Sequence, residues 1–479
     1  MKKILIIIAV FLVVSSCTKL EDLNKDTKNP EAVTGESLFT GAQKNLVDQM
    51  VSSNVNQNIF RLFMQYWTET TYTDESNYDI ITRPIPGTNW TILYRDVLKD
   101  LNESSKIITA TTYGGDAYPD IKKNKLAIVD VMAVYTWSVL VETFGDVPYS
   151  EALKIETLLP KYDDATGIYT DLIARLNADI ATLSASVTSE SFGIADNIYH
   201  GDVGGWLRFA NSLKLRMGMI IGDQATVEAA AGAALINDNS FNAQLVYGTS
   251  SPNTNPIYDD LVASGRHDFV PTNTIIDYML SLNDPRLGAY FTQVDTGNGI
   301  PIYWGGVPGD INAFPTFSHV SDRIQLPNFE ATIFDYSEVE FLLAEAAARG
   351  YAVGGTAESH YNTAIGASIL YWGGIQDSVD SYLANSLVAY STAPGDYHQK
   401  IGMQKWLALY NRGFEAWTSW RMLGYPQLVA PSGAEYPEVP VRLLYPVAEQ
   451  TLNGANYQAA AAAIGGDDVS TKIKVIKIL

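Results

Sequence analysis

The chain has 479 residues, of which 47% are hydrophobic and 11% are aromatic, and it contains one cysteine. A single cysteine excludes an intrachain disulfide, so the fold must be stabilised by a packed core. The formal net charge of −21 makes nucleic acid an unfavourable partner and offers no basic patch for anionic lipid headgroups.

The N-terminus has the pattern of a lipoprotein signal peptide. Residues 1–16 contain two early lysines, an apolar run too short to span a bilayer, and small residues before a cleavage site. They end at Cys17, which predicts that this thiol is lipidated and becomes the mature N-terminus. The alternative is an ordinary signal peptide with a chance cysteine. Residues 17–36 are polar and predict a tether, and their acidic pair at 21–22 resembles the export signal of surface lipoproteins.

The remaining residues, 37–479, predict a single, mainly α domain. We expect a helical body at about 37–222 and 330–424, with C-terminal loops at 425–479. Between the two parts of the body, glycine, proline, asparagine and aromatic residues predict an inserted, loop-rich lobe at about 237–328, with one clear helix at 272–282. Apolar residues spaced three and four apart predict helices in the first part of the body at 37–50, 55–67, 90–108, 121–144 and 165–183.

Several of these helices carry more specific signals. The helix at 121–144 is apolar on nearly all sides, which predicts a position in the middle of the core. Ser37 and Asp202 are candidate N-caps, and Ser337 with Glu340 predicts a capping box. One long helix is predicted at 403–423, with a stripe of aromatic side chains that faces the core.

The segment after residue 356 has the spacing of a tetratricopeptide helix. Ala357, Tyr361 and Ala364 follow the small–aromatic–small pattern of the second helix in such a unit. Small residues allow the two helices of a pair to approach closely. An ordinary antiparallel helix pair with alanines is the alternative.

Known catalytic motifs are absent from the sequence. It contains no phosphate loop, no G-x-S-x-G elbow and no H-E-x-x-H motif, and its five histidines lack metal-ligand spacing. We therefore expect no metal, no cofactor and no enzyme activity. A surface glycoside hydrolase is the second possibility, because that chemistry needs only two carboxyl groups and the first long loop contains carboxylates such as Glu69 and Glu75. A structural adaptor without a ligand site is a third possibility.

Several blocks of sequence, taken together and in order, resemble the SusD/RagB family of nutrient-binding outer-membrane lipoproteins, in its starch-binding-associated branch. These blocks include FGDVPYSEA at 144–152, WLRFANSLKLR at 206–216, NDPRL at 283–287, YSEVEFLLAEA at 336–346 and RLLYP at 442–446. The resemblance implies a SusD-like fold with tetratricopeptide-like helix pairs and an irregular lobe. It also implies a lipid-anchored, outward-facing protein that passes oligosaccharides or other nutrients to a SusC-like TonB-dependent transporter.

Aromatic rings on loops give the candidates for a ligand site. Rings on helices are explained by packing, whereas a loop offers a large ring no automatic place to be buried. Sugars bind such rings through their flat apolar faces, with polar side chains at the rim. The alternative is that these rings fill a small core of the lobe. The candidate ligand-binding residues are Trp304, Tyr303, Tyr72, Tyr78, Trp90, Arg266 and Asp268.

Overall fold

A computed structural model describes residues 33–112 and 118–477. The predicted signal peptide, Cys17 and most of the predicted tether lie outside these residues. The helices of the first half are α1 (Gly35–Val51), α2 (Phe60–Phe63), α3 (Ile85–Thr91), α4 (Lys99–Ala110), α5 (Tyr118–Phe144), α6 (Ala165–Ala185), α7 (Val203–Ile221) and α8 (Gln224–Ala231). A π-helical segment, Ile92–Leu98, joins α3 to α4.

Short elements separated by loops occupy the middle of the chain. They are β2 (Ala243–Leu245), α9 (Pro256–Tyr258), β3 (Phe269–Pro271), α10 (Asn273–Leu282), α11 (Leu287–Tyr290), β4 (Val294–Asp295) and β5 (Pro301–Ile302), while β1 (Trp67–Glu69) precedes them in the first long loop. β6 (Ala331–Phe334) pairs antiparallel with β2, so the two ends of the loop-rich lobe meet at its base. The predicted helix at 272–282 is confirmed by α10.

The second part of the helical body and the C-terminus complete the fold. They contain α12 (Tyr336–Ala348), α13 (Ala357–Tyr371), α14 (Gln376–Leu383), α15 (Tyr397–Ala408), α16 (Gly413–Leu423), α17 (Val447–Leu452) and α18 (Gly454–Ile464). Helices that follow one another in the chain pack side by side, as α5 does with α6, α7 with α8, α12 with α13, and α15 with α16. This arrangement confirms the prediction of a mainly α fold built from helix pairs.

The helix α5 lies at the centre of the body, as its apolar sequence predicts. Its side chains are buried from Val131 through Phe144. Of the described residues, only α5 is long and apolar enough to cross a membrane, but 89% of its apolar window is buried inside the fold. The C-terminal loops return to this helix, where Leu443 N donates to the carbonyl of Thr143 at 3.0 Å. The centre of the core therefore depends on residues from both ends of the domain.

Helix caps agree with the sequence at one position and differ at two. Asp202 caps α7 as predicted, because its carboxylate accepts from Gly204 N at 2.9 Å. Thr34, one turn before the predicted Ser37, caps α1. The predicted capping box at Ser337 is wrong, because Asp335 caps α12 and the Ser337 hydroxyl donates to the carbonyl of Ala364 at 2.8 Å. A hydroxyl that joins α12 to α13 makes a tertiary contact that local spacing does not reveal.

Two predicted helices are shorter in the structure. Only α2 forms within 55–67, because the residues that follow it enter the strand β1 and pair with β3. The helix predicted at 403–423 is split into α15 and α16. Gly413 begins α16 against α2, where a Cβ atom would lie 2.8 Å from the backbone nitrogen of Arg61. The aromatic stripe is nevertheless in the core, since Trp406 and Trp417 are 2% and 0% exposed.

A buried group of charged side chains surrounds this break. Arg412 Nη1 lies 3.1 Å from Asp335 Oδ1, and its Nη2 pairs with Glu338 and lies 3.8 Å from Glu415 Oε1. All four side chains are at most 10% exposed. Buried charges are tolerated only when they are paired, so Arg412 holds the start of α12 against α16 through charge as well as packing.

Candidate functional site

The first long loop and the loop-rich lobe meet in one surface. β1 and β3 pair antiparallel with Glu69 opposite Phe269. Beyond this pair, Thr70 N donates to the carbonyl of Asp268 at 2.9 Å, and the Thr70 hydroxyl donates to the carbonyl of His267 at 2.7 Å. Residues that are about 200 positions apart in the sequence are therefore neighbours at this end of the strands.

A second segment of the lobe closes over the same loop. Gly309 N donates to Thr68 Oγ1 at 3.1 Å, and Asn77 Nδ2 donates to the carbonyl of Gly309 at 2.8 Å. Gly309 has a φ of +77°, and a Cβ atom there would lie 2.5 Å from Asn77 Oδ1. Only glycine satisfies both the backbone conformation and this close approach. Asn312 N also donates to the carbonyl of Thr70, at 3.1 Å.

Three aromatic rings are stacked where these segments join. The centroids of His267 and Phe314 lie 4.2 Å apart with an interplanar angle of 19°. On the other face of Phe314, the His319 ring lies 3.8 Å away at 5°. His319 Nε2 lies 2.9 Å from the carbonyl oxygen of Phe314, so this nitrogen is the donor. The stack fixes the positions of the three rings, of which His267 is exposed.

A small cavity lies beside the stack and has a polar rim. Its volume is about 290 Å³. Arg266 Nε donates to Asp268 Oδ2 at 2.6 Å, and this hydrogen bond raises the pKa of the Arg266 guanidinium. The cavity is lined by Leu261, Val262, Gly265, Arg266, His267, Asp268, Phe269, Thr292, Phe314, His319, Val320, Asp322 and Gln325. Aromatic rings beside fixed donors and acceptors are the groups that recognise a saccharide.

Tyr72 lies in the first loop, two residues after Thr70, which is bonded to the carbonyls of Asp268 and His267. Its side chain is 73% exposed, and it lies close enough to Arg266 to act on that guanidinium electrostatically. The structure therefore brings together three of the residues predicted from the sequence, Tyr72, Arg266 and Asp268. It adds the stacked rings, which we define together with these three residues as the ring surface.

A family model described as "SusD-like_2: Starch-binding associating with outer membrane" matches residues 27–446. The chain belongs to this family. The comparison with curated proteins gave no match.

Solved structures show the same SusD-like fold. A chitin-binding protein is 25% identical with a TM-score of 0.78, and the match covers 93% of this chain and 100% of that chain. A SusD homologue from Bacteroides uniformis is 25% identical with a TM-score of 0.75, over 92% of this chain and 99% of that chain. A chitin-binding SusD homologue from Flavobacterium johnsoniae is 22% identical with a TM-score of 0.78, over 92% and 98%. The resemblance inferred from the sequence and the predicted fold are both confirmed.

The two adjacent rings predicted in the lobe have different environments in this SusD-like fold. Trp304 is 43% exposed, and its ring lies 5.3 Å from that of Phe317. Its backbone is fixed, because Trp304 N donates to Ser318 Oγ at 2.9 Å. Tyr303 is half-buried against the core, with its hydroxyl 3.1 Å from where a Cβ atom on Gly288 would lie. Neither ring lines the cavity, so a ligand role for them stays a prediction.

Two of the predicted ligand-binding rings, Tyr78 and Trp90, are buried, so the expectation of an exposed ring was wrong for them. Tyr78 is 0% exposed, and its ring lies 5.5 Å from that of Phe63. Trp90 lies on α3 and is 9% exposed. Its ring packs edge-on against Phe144 at 5.0 Å, so it forms the floor of a separate apolar groove.

The sequence reasoning missed the three stacked rings. It considered only tyrosine and tryptophan on loops, and it treated the histidines as scattered because none has metal-ligand spacing. Phe314 and His319 lie in a proline-containing loop segment, so the same argument about loop rings could have found Phe314. Among the described residues no group of three or more histidine, cysteine, aspartate or glutamate side chains could hold a metal ion.

The carboxylates of the first loop lie beneath the ring surface. Glu69 is 5% exposed, and Ser76 N donates to its Oε2 at 2.9 Å. Burial, followed by the neighbouring Glu75 carboxylate, raises the pKa of Glu69 to about 8. Glu75 is itself buried and pairs with Arg83. These groups therefore have partners that hold the loop in place.

Proposed function

We propose that this chain is a binding protein that captures oligosaccharides at the cell surface on its ring surface and delivers them to a SusC-like TonB-dependent transporter. The observation that carries the proposal is the stack of His267, Phe314 and His319 beside the Arg266–Asp268 pair. The apolar face of a sugar ring can lie on an aromatic ring while its hydroxyl groups bond the charged rim.

The relatives support the same ligand class. Two of the similar structures are named for chitin binding, and the family description names starch binding. Both ligands are chains of glucose-type rings with the same alternation of apolar faces and polar edges. The shared family therefore supports an oligosaccharide ligand, and the ring surface supports where it binds.

The test of this function is a binding and hydrolysis assay in one sample. Purified protein is titrated calorimetrically with malto- and chito-oligosaccharides, and each mixture is then analysed for shorter products by chromatography. We expect binding without new products. Product formation would instead support a surface glycoside hydrolase, and a complete lack of binding would support a structural adaptor.

The location of the site is tested by two variants of the ring surface. Tyr72→Ala should weaken binding of the same oligosaccharide by about five- to ten-fold, because a ring stacked on a sugar contributes on the order of 1 kcal/mol. Phe314→Ala should weaken it by a similar factor, because it removes the ring against which His267 and His319 stack. Ile194→Ala is the matched control, since Ile194 is 99% exposed and lies away from the ring surface in the sequence. Equal affinity in all three variants would show that the oligosaccharide does not bind at the ring surface.

The proposed anchor is Cys17, with the chain held at the outer membrane and facing the cell exterior. Replacing Cys17 by alanine should leave the fold intact and release the protein from that membrane or block its maturation. Membrane fractionation in a strain without the transporter gives the result. Continued association of the Cys17→Ala protein with the outer membrane would contradict lipidation at this residue.

The proposed partner docks on the helical body and leaves the lobe free for the ligand. Stacked helix pairs offer an extended surface, and a flexible tether allows the protein to move over a pore. Affinity purification from native membranes should recover a large β-barrel transporter with the wild-type protein. Recovery of no such barrel would count against the partner.

A further inference from the structure

A second cleft lies on the helical body, and none of its lining residues belongs to the lobe. It has a volume of about 760 Å³, which is within the range of small-molecule sites. The cleft is formed by the end of the π-helical segment, α4, α5 and the connection that leads to α6. Its apolar lining comprises Leu98, Leu101, Val129, Ala133, Trp137, Ala152, Leu153 and Ile155.

One cationic side chain is fixed at the polar side of this cleft. Arg175, on α6, donates from Nε to Asp130 Oδ2 at 3.2 Å, and its Nη2 donates to the other oxygen of the same carboxylate. Its Nη1 donates to the Tyr149 hydroxyl at 2.6 Å, and that hydroxyl donates to Asp171. Among the described residues these bonds use three of the five N–H donors, which leaves one on each terminal nitrogen for a ligand.

A buried carboxyl group stands behind this pair. Asp179 is 8% exposed, and burial together with the neighbouring Asp130 raises its pKa to about 9. Asp179 therefore retains its proton at neutral pH and adds no negative charge to the cleft. Arg175 pairs with Asp130, so the polar side of the cleft is organised without being strongly acidic.

The rim of the cleft is more cationic than the protein around it. Lys99, Lys106 and Lys154 line it, against two further carboxylates, Glu103 and Glu156. The whole chain, in contrast, has a net charge of −21. An acidic ligand would therefore experience less repulsion at this cleft than elsewhere on the surface.

We propose that this cleft is a second saccharide site, which binds a short acidic saccharide through its carboxylate groups. Arg175 supplies a positioned pair of donors, the lysines supply charge, and the Trp137 and Tyr149 side chains supply an aromatic edge. The saccharide class rests on the function proposed above, whereas the acidic character rests on the side chains of the cleft.

The test uses trigalacturonic acid as the acidic probe and galactotriose as its neutral counterpart. Calorimetry on the full chain should show binding of trigalacturonic acid and at least ten-fold weaker binding of galactotriose at the cleft. Arg175→Lys keeps the positive charge but loses the two terminal nitrogens of the guanidinium group. It should weaken binding of the acidic probe about ten-fold. The exposed double variant Lys99→Ala/Lys106→Ala should bind the acidic probe more weakly than wild type, and this difference should grow as the salt concentration is lowered, because less screening strengthens the attraction that wild type retains.

Two controls separate this proposal from the ring surface. Phe314→Ala should leave binding of trigalacturonic acid unchanged, and Arg175→Lys should leave binding of the malto- or chito-oligosaccharide unchanged. Circular dichroism of each variant verifies the helical content. If wild-type protein does not bind trigalacturonic acid, or if Arg175→Lys and the lysine variant bind it as wild type does, the second site is wrong. That result would not affect the proposed binding of neutral oligosaccharides at the ring surface. A wild-type protein that binds trigalacturonic acid but no malto- or chito-oligosaccharide would instead contradict the proposed function.

Discussion

The helical body and the loop-rich lobe use aromatic side chains in opposite ways. In the body, Trp206, Trp406 and Trp417 are at most 2% exposed and lie in the core between helices. In and beside the lobe, Trp304 is 43% exposed and Tyr72 is 73% exposed. The same residue types therefore serve packing in one region and are available to a ligand in the other.

The difference follows from how each region provides hydrogen-bond partners for its backbone N–H and C=O groups. Helices satisfy their own peptide groups, so their side chains are directed at neighbouring helices and form a continuous core. The lobe uses polar side chains instead: Asn312 Nδ2 donates to the carbonyls of Val307 and Asp310, and its Oδ1 accepts from Val307 N. A loop fixed in this way is ordered without burying its rings.

Charged side chains also differ between the helical body and the lobe. Arg412 in the body is 5% exposed and contacts three carboxylates, whereas Arg266 at the ring surface is 61% exposed and, among the described residues, pairs with Asp268 alone. Buried pairs are costly to break because a charge is left without a partner, while exposed pairs contribute little. Matched variants in the two regions should therefore separate stability from binding.

The largest expected effect is on the stability of the body. Arg412→Met leaves the carboxylates around it buried without their cation and should lower the free energy of unfolding by about 3–5 kcal/mol. Arg266→Met should change it by less than about 0.5 kcal/mol. Urea titration followed by circular dichroism measures both. A similar loss in the two variants would contradict the contrast between the regions.

A second effect should depend on pH and concerns the loop beneath the ring surface. The folded-state pKa of Glu69 is about 8, above its ordinary value of 4.5, so between these pH values the folded protein retains a proton that the unfolded chain has released. The stability linked to this group is full below about pH 4.5 and is lost as the pH rises through about 8.

The Glu69→Gln variant tests this assignment, because glutamine does not titrate and can still accept from Ser76. Its melting temperature should fall less than that of wild type between pH 5 and pH 9. Glu103→Gln, at an exposed carboxylate on α4, is the matched control. If the melting temperature of Glu69→Gln depends on pH as that of wild type does, another group causes the pH dependence.

The smallest expected effects are on affinity and concern the two adjacent rings of the lobe. Trp304→Ala should weaken oligosaccharide binding by up to about ten-fold if the ligand extends from the cavity to this exposed ring. Tyr303→Ala should act mainly on stability, because Tyr303 is half-buried over Gly288. Calorimetry and thermal unfolding of both variants distinguish these outcomes. Unchanged affinity in both would restrict the site to the ring surface.

The sequence predicted the body better than the ligand site. Apolar periodicity identified α5 as the central helix and the aromatic stripe of α15 and α16 as core, because helical spacing reports directly which side chains share a face. The prediction failed where one helix ends against another, as at Gly413, whose close approach to α2 involves residues about 350 positions away.

Exposure of the loop rings was predicted less well. Tyr78 and Trp90, in and at the end of the first long loop, were expected to be exposed, but they are 0% and 9% exposed and pack against Phe63 and Phe144. The partners of Arg266 could be expected from Asp268 two residues later, whereas the stack of His267 on Phe314 could not. Ring stacking between distant segments depends on the path of both loops.

The sequence by its own patterns predicted the family, the mainly α fold and the position of the core helix. These properties follow from local periodicity, from turn-forming residues and from blocks of sequence shared with relatives. The structure was needed to show that the first long loop joins the lobe through β1 and β3, and that Tyr72, Arg266, Asp268 and three stacked rings form one surface. Contacts between residues about 200 positions apart depend on how the intervening helices pack, which local sequence patterns do not specify.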